Sequence, residues 1–398
     1  MTLVFLLYLA ASGFCLLVTG YLLILTGAAW GFRKKVGVVS DPPPKIAVVI
    51  PAHNEDGGIA ATIASVQRCA YPAAAYEIMV IADNCTDATA AVAQAAGATV
   101  WIRVDPERRG KGQALDWFLR QWGAAAQEYA AVAMIDADTQ VSPAFLAEVA
   151  ASLAHPEVQV VQGFYGVANP QENWRTALAT AALYVFHHLR PAGRNRLGGS
   201  AGLKGNGMAF RTALLQRWGW PAHGIVEDLE FSLMLLQDQV LVHYNPEAAV
   251  YGEMARTRHQ AGVQRQRWEG GRWQMVRTYA PRLLRQWWRE RHVALLDGFL
   301  DLVTPPLALL VAATGALGLA GLALCPAAAL LPWGCLAGQG LYVAAGLWLR
   351  RAPWRVWLYL GAAPVFILWK LPIHLASMGR RFTGTWQRTP RQAEAEKR

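Results

Sequence analysis

The chain has 398 residues, of which 54% are hydrophobic and 16% charged, with a formal net charge of +10. Soluble domains contain about 25% charged residues, so this composition excludes a disordered chain and requires long stretches without charge. Five cysteines without a CxxC spacing exclude a disulfide framework and a zinc site, and they fit a reducing compartment.

The first predicted element is a membrane helix at residues 1–32. This segment contains no Asp, Glu, Lys, Arg or His, and the basic residues Arg33, Lys34 and Lys35 follow it. A helix that crosses a bilayer needs about 20 apolar residues. A cleaved signal peptide is the alternative, but no basic residue precedes the apolar run, so we predict an uncleaved anchor.

Residues 45–255 are predicted to form an α/β domain. Short apolar runs typical of buried strands lie at 46–51, 77–82, 98–104 and 129–135. Helix-like segments separate these runs, and the alternation favours a parallel sheet covered by helices on both faces.

Acidic residues follow the carboxyl ends of these predicted strands, which is where ligands bind in parallel sheets. We expect four of them to meet in one crevice, namely Glu55, Asp83, Asp136 and Asp138. No GxGxxG follows the first run and no GxxxxGK[ST] occurs in the chain. The sequence therefore disfavours a dinucleotide dehydrogenase and a P-loop ATPase.

Asp136 and Asp138 place two carboxylates one residue apart directly after a strand. Oxygen ligands of this kind suit Mg²⁺ or Mn²⁺ bound to a diphosphate. The alternative is that Asp138 caps the next helix. Ser142, followed by Pro143, is the better predicted cap, which favours metal binding by the two aspartates.

Glu227 and Asp228 open a predicted helix at 229–236. Acidic residues in a first turn are stabilised by the helix dipole, so a structural role would explain them. A functional role would make one of them a general base. The spacing alone leaves both interpretations open.

The sequence QRQRW at 264–268 places Gln264, Arg267 and Trp268 on one helix face. A guanidinium and an indole there could hold a diphosphate and stack on a sugar. The alternative is a basic amphipathic helix on lipid headgroups. Lys111 lies in a basic loop that could reach phosphate, which alone is weak evidence.

The carboxyl-terminal part is predicted to return to the membrane. Residues 302–349 lack Asp, Glu, Lys and Arg, which suits two spans, whereas 356–369 suits an interfacial or re-entrant segment as well as a span. Three spans with the amino terminus outside would place all basic clusters on the cytoplasmic face. The basic surplus is then attributed to attraction by anionic lipid, and no nucleic-acid partner is predicted.

Taken in order, the motifs VVIPAHNE, IADN, GKGQAL, DAD, GNGMAF, VED and QRQRW resemble the membrane-bound family 2 glycosyltransferases. That group contains cellulose, chitin, hyaluronan and poly-N-acetylglucosamine synthases, and ceramide glucosyltransferases are similar. The resemblance implies a GT-A (Rossmann-like) domain inserted between transmembrane helices. The implied division of the chain is a transmembrane anchor at 1–32, a cytoplasmic catalytic domain at 45–255, amphipathic interface helices at 256–292, a membrane region at 293–378 and a basic cytoplasmic tail at 379–398.

The resemblance also implies roles for individual residues. Asp228, with Glu227 beside it, would be the catalytic base, and Asp138 with Asp136 would hold Mg²⁺ or Mn²⁺. Trp268 would bind the acceptor. The donor would be bound by Glu55, Asp83, Lys111, Asp136, Gln264 and Arg267.

The implied reaction is an inverting transfer from a nucleotide-diphosphate sugar, expected to be a UDP-sugar, in the inner membrane of a bacterium. The QRQRW form favours a growing extracellular polysaccharide as acceptor, and export of such a polymer could involve a partner subunit. The alternative is transfer of a single sugar to a membrane lipid, favoured by the small membrane part. VED replaces the TED of many relatives, which changes the neighbour of the base.

Overall fold

The computed structural model describes residues 2–254 and 258–379. The strands of this part of the chain are β1 (Ile46–Ala52), β2 (Tyr76–Asp83), β3 (Thr99–Arg103), β4 (Ala131–Met134), β5 (Thr139–Val141), β6 (Val160–Val167), β7 (Met208–Arg211) and β8 (Val242–Gly252). The α-helices are α1 (Thr2–Trp30), α2 (Ile59–Gln67), α3 (Thr89–Ala95), α4 (Lys111–Trp122), α5 (Phe145–Ala154), α6 (Trp174–Tyr184), α7 (Arg190–Arg196), α8 (Thr212–Trp218), α9 (Glu227–Gln237), α10 (Arg258–Glu290), α11 (Val293–Val303), α12 (Leu307–Leu324), α13 (Pro326–Leu349), α14 (Trp354–Tyr359) and α15 (Ala363–Gly379). A π-helical turn, Val185–Leu189, joins α6 to α7.

The strands form one eight-stranded sheet in the order β3-β2-β1-β4-β7-β6-β8-β5. Strands β1 to β4 are parallel to their neighbours within this group. β1 and β4 are almost entirely buried, as expected for strands covered on both faces. The parallel half of the sheet therefore brings the ends of β1, β2 and β4 to one edge.

The four strands of the predicted apolar runs are parallel as predicted, whereas the later strands make the sheet as a whole mixed. β7 is antiparallel to both β4 and β6, and β5 is antiparallel to β8. The regular alternation of strand and helix ends after β4, because β5 follows β4 directly with no helix between them.

The predicted cap at Ser142 was wrong. α5 begins at Phe145 after Ala144, with no side-chain hydrogen bond at its amino-terminal cap. The Ser142 hydroxyl donates to the Glu247 carbonyl at 3.3 Å instead. The Ser142 hydroxyl thus bonds to the backbone of β8 and does not cap α5.

The chain divides into two compact units. The sheet unit comprises residues 34–168 and 200–275, and the helical unit comprises residues 1–33, 169–199 and 276–380. Residues 169–199 thus belong to the helical unit, although the predicted catalytic domain at 45–255 includes them. The predicted basic tail, 379–398, lies outside the described residues apart from Gly379.

Three helices of the described chain are long and apolar enough to cross a membrane, namely Leu3–Trp30, Leu307–Leu324 and Pro326–Leu349. They coincide in position with the three predicted spans. α14 and α15 occupy the segment for which an interfacial or re-entrant position was predicted, and neither is among these three.

Within the helical unit, a buried charge network ties α7 to α11. Arg194 donates to Asp297 at 2.8 Å and to Asp301 at 2.9 Å, and Arg190 donates to Asp301 at 3.2 Å. Both arginine side chains are at most 7% exposed. Two tyrosines complete the network by hydrogen bonds to it, Tyr21 of α1 and Tyr342 of α13. We call the four charged residues Arg190, Arg194, Asp297 and Asp301 the arginine-aspartate network.

Candidate active site

The ends of β1 and β2 carry the first predicted site residues. Asp83 is the last residue of β2, and its carbonyl lies 2.7 Å from Nδ1 of His53, which follows β1. Glu55 lies two residues further along the same loop and is half-buried. Its backbone N–H donates to the Thr89 hydroxyl at 2.6 Å. The loop after β1 is therefore held against the end of β2 and the start of α3.

The Asp83 carboxylate is held by a buried arginine that sequence analysis missed. Arg103 Nη1 donates to Asp83 Oδ1 at 2.5 Å, and Arg103 Nη2 donates to Asp105 at 3.0 Å. Asn84 Nδ2 donates to the same Asp83 oxygen at 2.9 Å. Burial raises the pKa of the Asp83 carboxyl, and the Arg103 guanidinium partly offsets this. These bonds fix the orientation of the carboxylate and converge on Oδ1.

A second cluster forms around Lys111, the first residue of α4. Its ammonium donates to Asp136 Oδ1 at 2.5 Å and to the Gly205 carbonyl. Burial acts to lower the pKa of Lys111, but the charges of Asp136, Glu227 and Asp228 together raise it above the ordinary value. We call Lys111 and these three acids the carboxylate cluster.

Glu227 and Asp228 join this cluster from the first turn of α9. Burial, reinforced by the neighbouring Asp228, raises the pKa of Glu227 to about 8. Burial also raises the pKa of Asp228. A buried carboxyl with a raised pKa is a candidate for acid–base chemistry. One of this pair could therefore accept a proton near neutral pH.

Gly205 must be a glycine for two reasons. Its φ is +78°, in the left-handed region, and a Cβ built on it would lie 3.2 Å from Asp228 Oδ2. The backbone of the GNGMAF motif, which begins at Gly205, thus lies against Asp228. Asn206, the next residue, accepts from the backbone N–H of Asp136.

The donor set of the predicted metal site fits a divalent cation. Asp136 is half-buried and Asp138 is exposed on the turn between β4 and β5. The residues that the structure describes contain no group of three or more His, Cys, Asp and Glu side chains that could hold a metal ion by themselves. Two carboxylates from one turn suit Mg²⁺ or Mn²⁺, which keep water and phosphate oxygens as further ligands.

Trp268 is half-buried on α10. One turn later, a Cβ built on Gly271 would lie 2.7 Å from Val226, the residue before Glu227. The segment that carries Trp268 therefore packs close to the start of α9. The side chains of Gln264 and Arg267 lie outside the described residues, so their predicted roles stay predictions.

The chain resembles known proteins in both sequence and fold. A protein-family model described as glycosyltransferase like family 2 matches residues 42–271, more than half of the chain. A β-monoglucosyldiacylglycerol synthase of Nostoc sp. is 29% identical over 245 residues, which are 59% of this chain and 50% of that protein. The probable glycosyltransferase YdaM of Bacillus subtilis is 24% identical over 234 residues, 57% of this chain and 55% of that one.

The chain thus spans about half the length of the curated relatives it matches. Among solved structures, the mannosyltransferase PcManGT from Pyrobaculum calidifontis, in complex with GDP-Man and Mn²⁺, has a TM-score of 0.53. It is 20% identical, and the match covers 89% of this chain and 99% of that one. At this identity the likeness is one of fold, and with the family match it confirms the predicted GT-A arrangement.

Proposed function

Because the chain belongs to glycosyltransferase family 2, we propose that it transfers one sugar from a nucleotide-diphosphate sugar to a lipid acceptor in a membrane. The observation that carries this proposal is the meeting of Lys111, Asp136, Glu227 and Asp228 at one place. A cation-binding turn beside a protonatable carboxyl is what glycosyl transfer from a diphosphate requires.

The lipid acceptor replaces the polysaccharide as our first choice. The Nostoc relative is by name a synthase of β-monoglucosyldiacylglycerol, which supports an acceptor of the diacylglycerol kind. Three helices suited to spanning a bilayer support a membrane location, and we propose the bacterial inner membrane with the sheet unit in the cytoplasm. A growing polysaccharide, with a partner subunit for export, is the second candidate and the less well supported.

In the proposed mechanism the acceptor hydroxyl attacks the anomeric carbon as the bond from that carbon to the diphosphate breaks. Asp228 accepts the hydroxyl proton, and the carboxyl group of Glu227 lies beside it and titrates together with it. A single displacement inverts the anomeric configuration. A divalent cation bound by Asp136 and Asp138 would neutralise charge on the leaving diphosphate.

Donor recognition is assigned to the ends of β1 and β2. The hydrogen bonds from Arg103 and Asn84 both reach Asp83 Oδ1, so we propose that Oδ2 accepts from an N–H of the nucleobase. Uracil and guanine both carry such a donor, and a UDP-sugar is our first choice. Glu55, Lys111, Gln264 and Arg267 would contact the rest of the donor, and Trp268 the acceptor.

The test is product analysis with the full chain in lipid nanodiscs. UDP-glucose, UDP-N-acetylglucosamine, UDP-galactose and GDP-mannose are supplied with Mg²⁺ or Mn²⁺ and with or without diacylglycerol. We expect nucleotide release that depends on diacylglycerol and a lipid carrying one sugar. A ladder of oligosaccharides would support the polysaccharide instead, and the absence of nucleotide release with every donor would overturn the proposal.

Asp228→Asn is the matching variant. It should lower kcat by roughly 10²–10⁴-fold while donor binding persists, because only proton transfer is lost. Asp238→Asn is the control, since Asp238 is an exposed aspartate just beyond the other end of α9. Equal activity of the two variants would remove Asp228 from the mechanism.

A further inference from the structure

Asn206 makes two hydrogen bonds to the turn that carries Asp136 and Asp138. Its side-chain Oδ1 accepts from the backbone N–H of Asp136 at 3.1 Å. Its Nδ2 donates to the hydroxyl of Thr139 at 2.7 Å. Asn206 is 1% exposed and Thr139 is fully buried. One side chain thus bonds to the turn on both sides of its two carboxylates.

The orientation of the carboxamide follows from the chemistry of its partners. A backbone N–H can only donate, so the group that faces Asp136 must be the amide oxygen, and the amide nitrogen faces Thr139. Aspartate at position 206 would keep the acceptor for the Asp136 N–H but would meet the Thr139 hydroxyl as a second acceptor, and an aliphatic residue would make neither bond. A carboxamide supplies the acceptor for Asp136 and the donor for Thr139 that the structure shows.

Asn206 is itself fixed by bonds to β6. Gln162, which is fully buried, donates from Nε2 to the Asn206 carbonyl at 2.8 Å. Its Oε1 accepts from the backbone N–H of Lys204 at 2.8 Å. The Gly163 backbone N–H donates to the Gly207 carbonyl, also at 2.8 Å. Residues 204–207 are thus held by the sheet and not by the turn alone.

The same short loop lies against the proposed base. The Gly205 carbonyl accepts from Lys111, and Gly205 faces the Asp228 carboxylate closely enough that a Cβ would meet it at 3.2 Å. One rigid loop therefore contacts the Asp136 turn through Asn206 and the Asp228 side chain through Gly205. The distance between these two parts of the site depends on this loop.

We propose that Asn206 is a positioning residue that holds the Asp136–Asp138 turn, through Asp136 N–H and the Thr139 hydroxyl, at the separation from Asp228 that transfer requires. The proposal rests on the proposed glycosyl transfer and on cation binding by the two aspartates. Asn206 contacts neither donor nor acceptor in this scheme and acts through the turn.

The cleanest test removes the hydroxyl that Asn206 binds. Thr139→Val keeps the shape of the side chain and removes the hydroxyl, whereas Thr139→Ser keeps the hydroxyl and is the matched control. Mn²⁺ affinity is measured by electron paramagnetic resonance on the full chain with UDP present, and kcat is measured by nucleotide release. Loss of a group that orients metal ligands typically weakens metal binding or activity about 10- to 100-fold.

We expect Thr139→Val to weaken Mn²⁺ binding and kcat by roughly tenfold or more, with Thr139→Ser close to the wild type. Asn206→Ala should do the same, and Thr139→Val should add little to it because the bond that Thr139→Val removes is one of the two that Asn206→Ala already removes. Equal losses in the Ser and Val variants, or Mn²⁺ affinity and kcat within about twofold of the wild type in Thr139→Val, would overturn the proposal.

These outcomes separate two kinds of failure. A wild-type chain that releases no nucleotide from any donor contradicts the proposed function, whereas Mn²⁺ binding in the Ser and Val variants still tests the role of Asn206. Activity in the wild type with unchanged Mn²⁺ binding in Thr139→Val contradicts only the role of Asn206. Thermal unfolding of each variant shows whether a loss reflects the turn or the whole fold.

Discussion

The paired acids at the start of α9 predict the pH dependence of the reaction. The pKa of Glu227 is raised to about 8, against an ordinary value of 4.5, and that of Asp228 is also raised, both chiefly by burial. The base form of such a pair is lost as the pH falls through the raised pKa values, and the two groups titrate together. We expect kcat/KM to fall on the acid side well above pH 4.5.

Glu227→Gln removes the group whose pKa is raised to about 8, so an acid limb that Glu227 sets should move to lower pH, where Asp228 titrates without a coupled neighbour. The measurement is kcat/KM for nucleotide release across the pH range. Glu230→Gln is the control, because Glu230 lies in the same first turn and is half-buried. An acid limb that Glu227→Gln leaves in place would show that the pair does not control the rate.

Arg103 offers a second prediction at this scale. Arg103→Met leaves the Asp83 carboxylate buried without its guanidinium, which typically costs about 3–5 kcal/mol when a buried ion pair is broken. We therefore expect a lower Tm and a higher KM for the donor, measured by thermal unfolding and by initial rates. Arg108→Met, at a side chain that is 73% exposed, should change the Tm little. A wild-type Tm and KM in Arg103→Met would contradict this dependence.

Single residues show what the sequence could and could not reveal. Asp83 and Asp136 were found because they follow apolar runs, and the parallel strands bring them to one edge. Arg103 was missed because its partner is set by strand register, in which Asp83 lies opposite Arg103. Asn206 was missed because a loop 70 residues away returns to the Asp136 turn, which no local pattern encodes.

Among the elements, the second half of α10 carries an exposed basic face. Arg277, Arg282, Arg285, Arg289 and Arg291 are exposed, and Glu290 is the single acid between residues 277 and 291. Trp288 is 59% exposed, and the Arg291 guanidinium lies 4.4 Å from the centroid of its ring. The opposite face is buried through Tyr279, Ala280 and Leu283. This face suits anionic headgroups of a bilayer.

We predict that phosphatidylglycerol stimulates activity in nanodiscs and that the combined variant Arg282→Gln, Arg285→Gln, Arg289→Gln loses this stimulation. Each basic side chain near an anionic surface contributes about 1 kcal/mol, and salt screens that contribution. The control is Arg68→Gln, Arg120→Gln, Arg217→Gln, which removes the same charge from exposed positions in the sheet unit. Equal responses of the two triple variants to phosphatidylglycerol would contradict a role for this face.

The elements were predictable where alternation was regular. β1, β2 and α9 were found within a few residues of their observed bounds because apolar period and element length agree there. The antiparallel β7 was not predicted. Its pairing with β4 depends on a return of the chain after residues 169–199, and strand direction leaves no mark in a four-residue run.

At the scale of the molecule, the arginine-aspartate network joins distant segments of the helical unit. Arg194→Leu leaves Asp297 and Asp301 with one guanidinium, and breaking a buried pair typically costs about 3–5 kcal/mol. We expect a marked fall in the Tm of the detergent-solubilised chain. Arg194→Leu combined with Asp297→Leu should recover part of it, because an apolar pair replaces the broken one. A double variant less stable than the single one would contradict this account.

The helical unit was only partly predictable. Its long apolar helices stand out because a bilayer demands uncharged stretches. Residues 169–199 do not stand out, since Arg190 and Arg194 make the segment look soluble until Asp297 and Asp301 neutralise them more than 100 residues later.

This interleaving restricts how the gene can be dissected. A fragment ending before residue 276 would retain Arg190 and Arg194 but discard the aspartates that neutralise them. It would also expose the apolar surface of α6 that packs against Leu347 and Val356. Truncation is thus expected to yield aggregates instead of a water-soluble enzyme. We therefore expect active preparations to require the intact polypeptide in detergent or lipid, since three of its helices are long and apolar enough to cross a membrane.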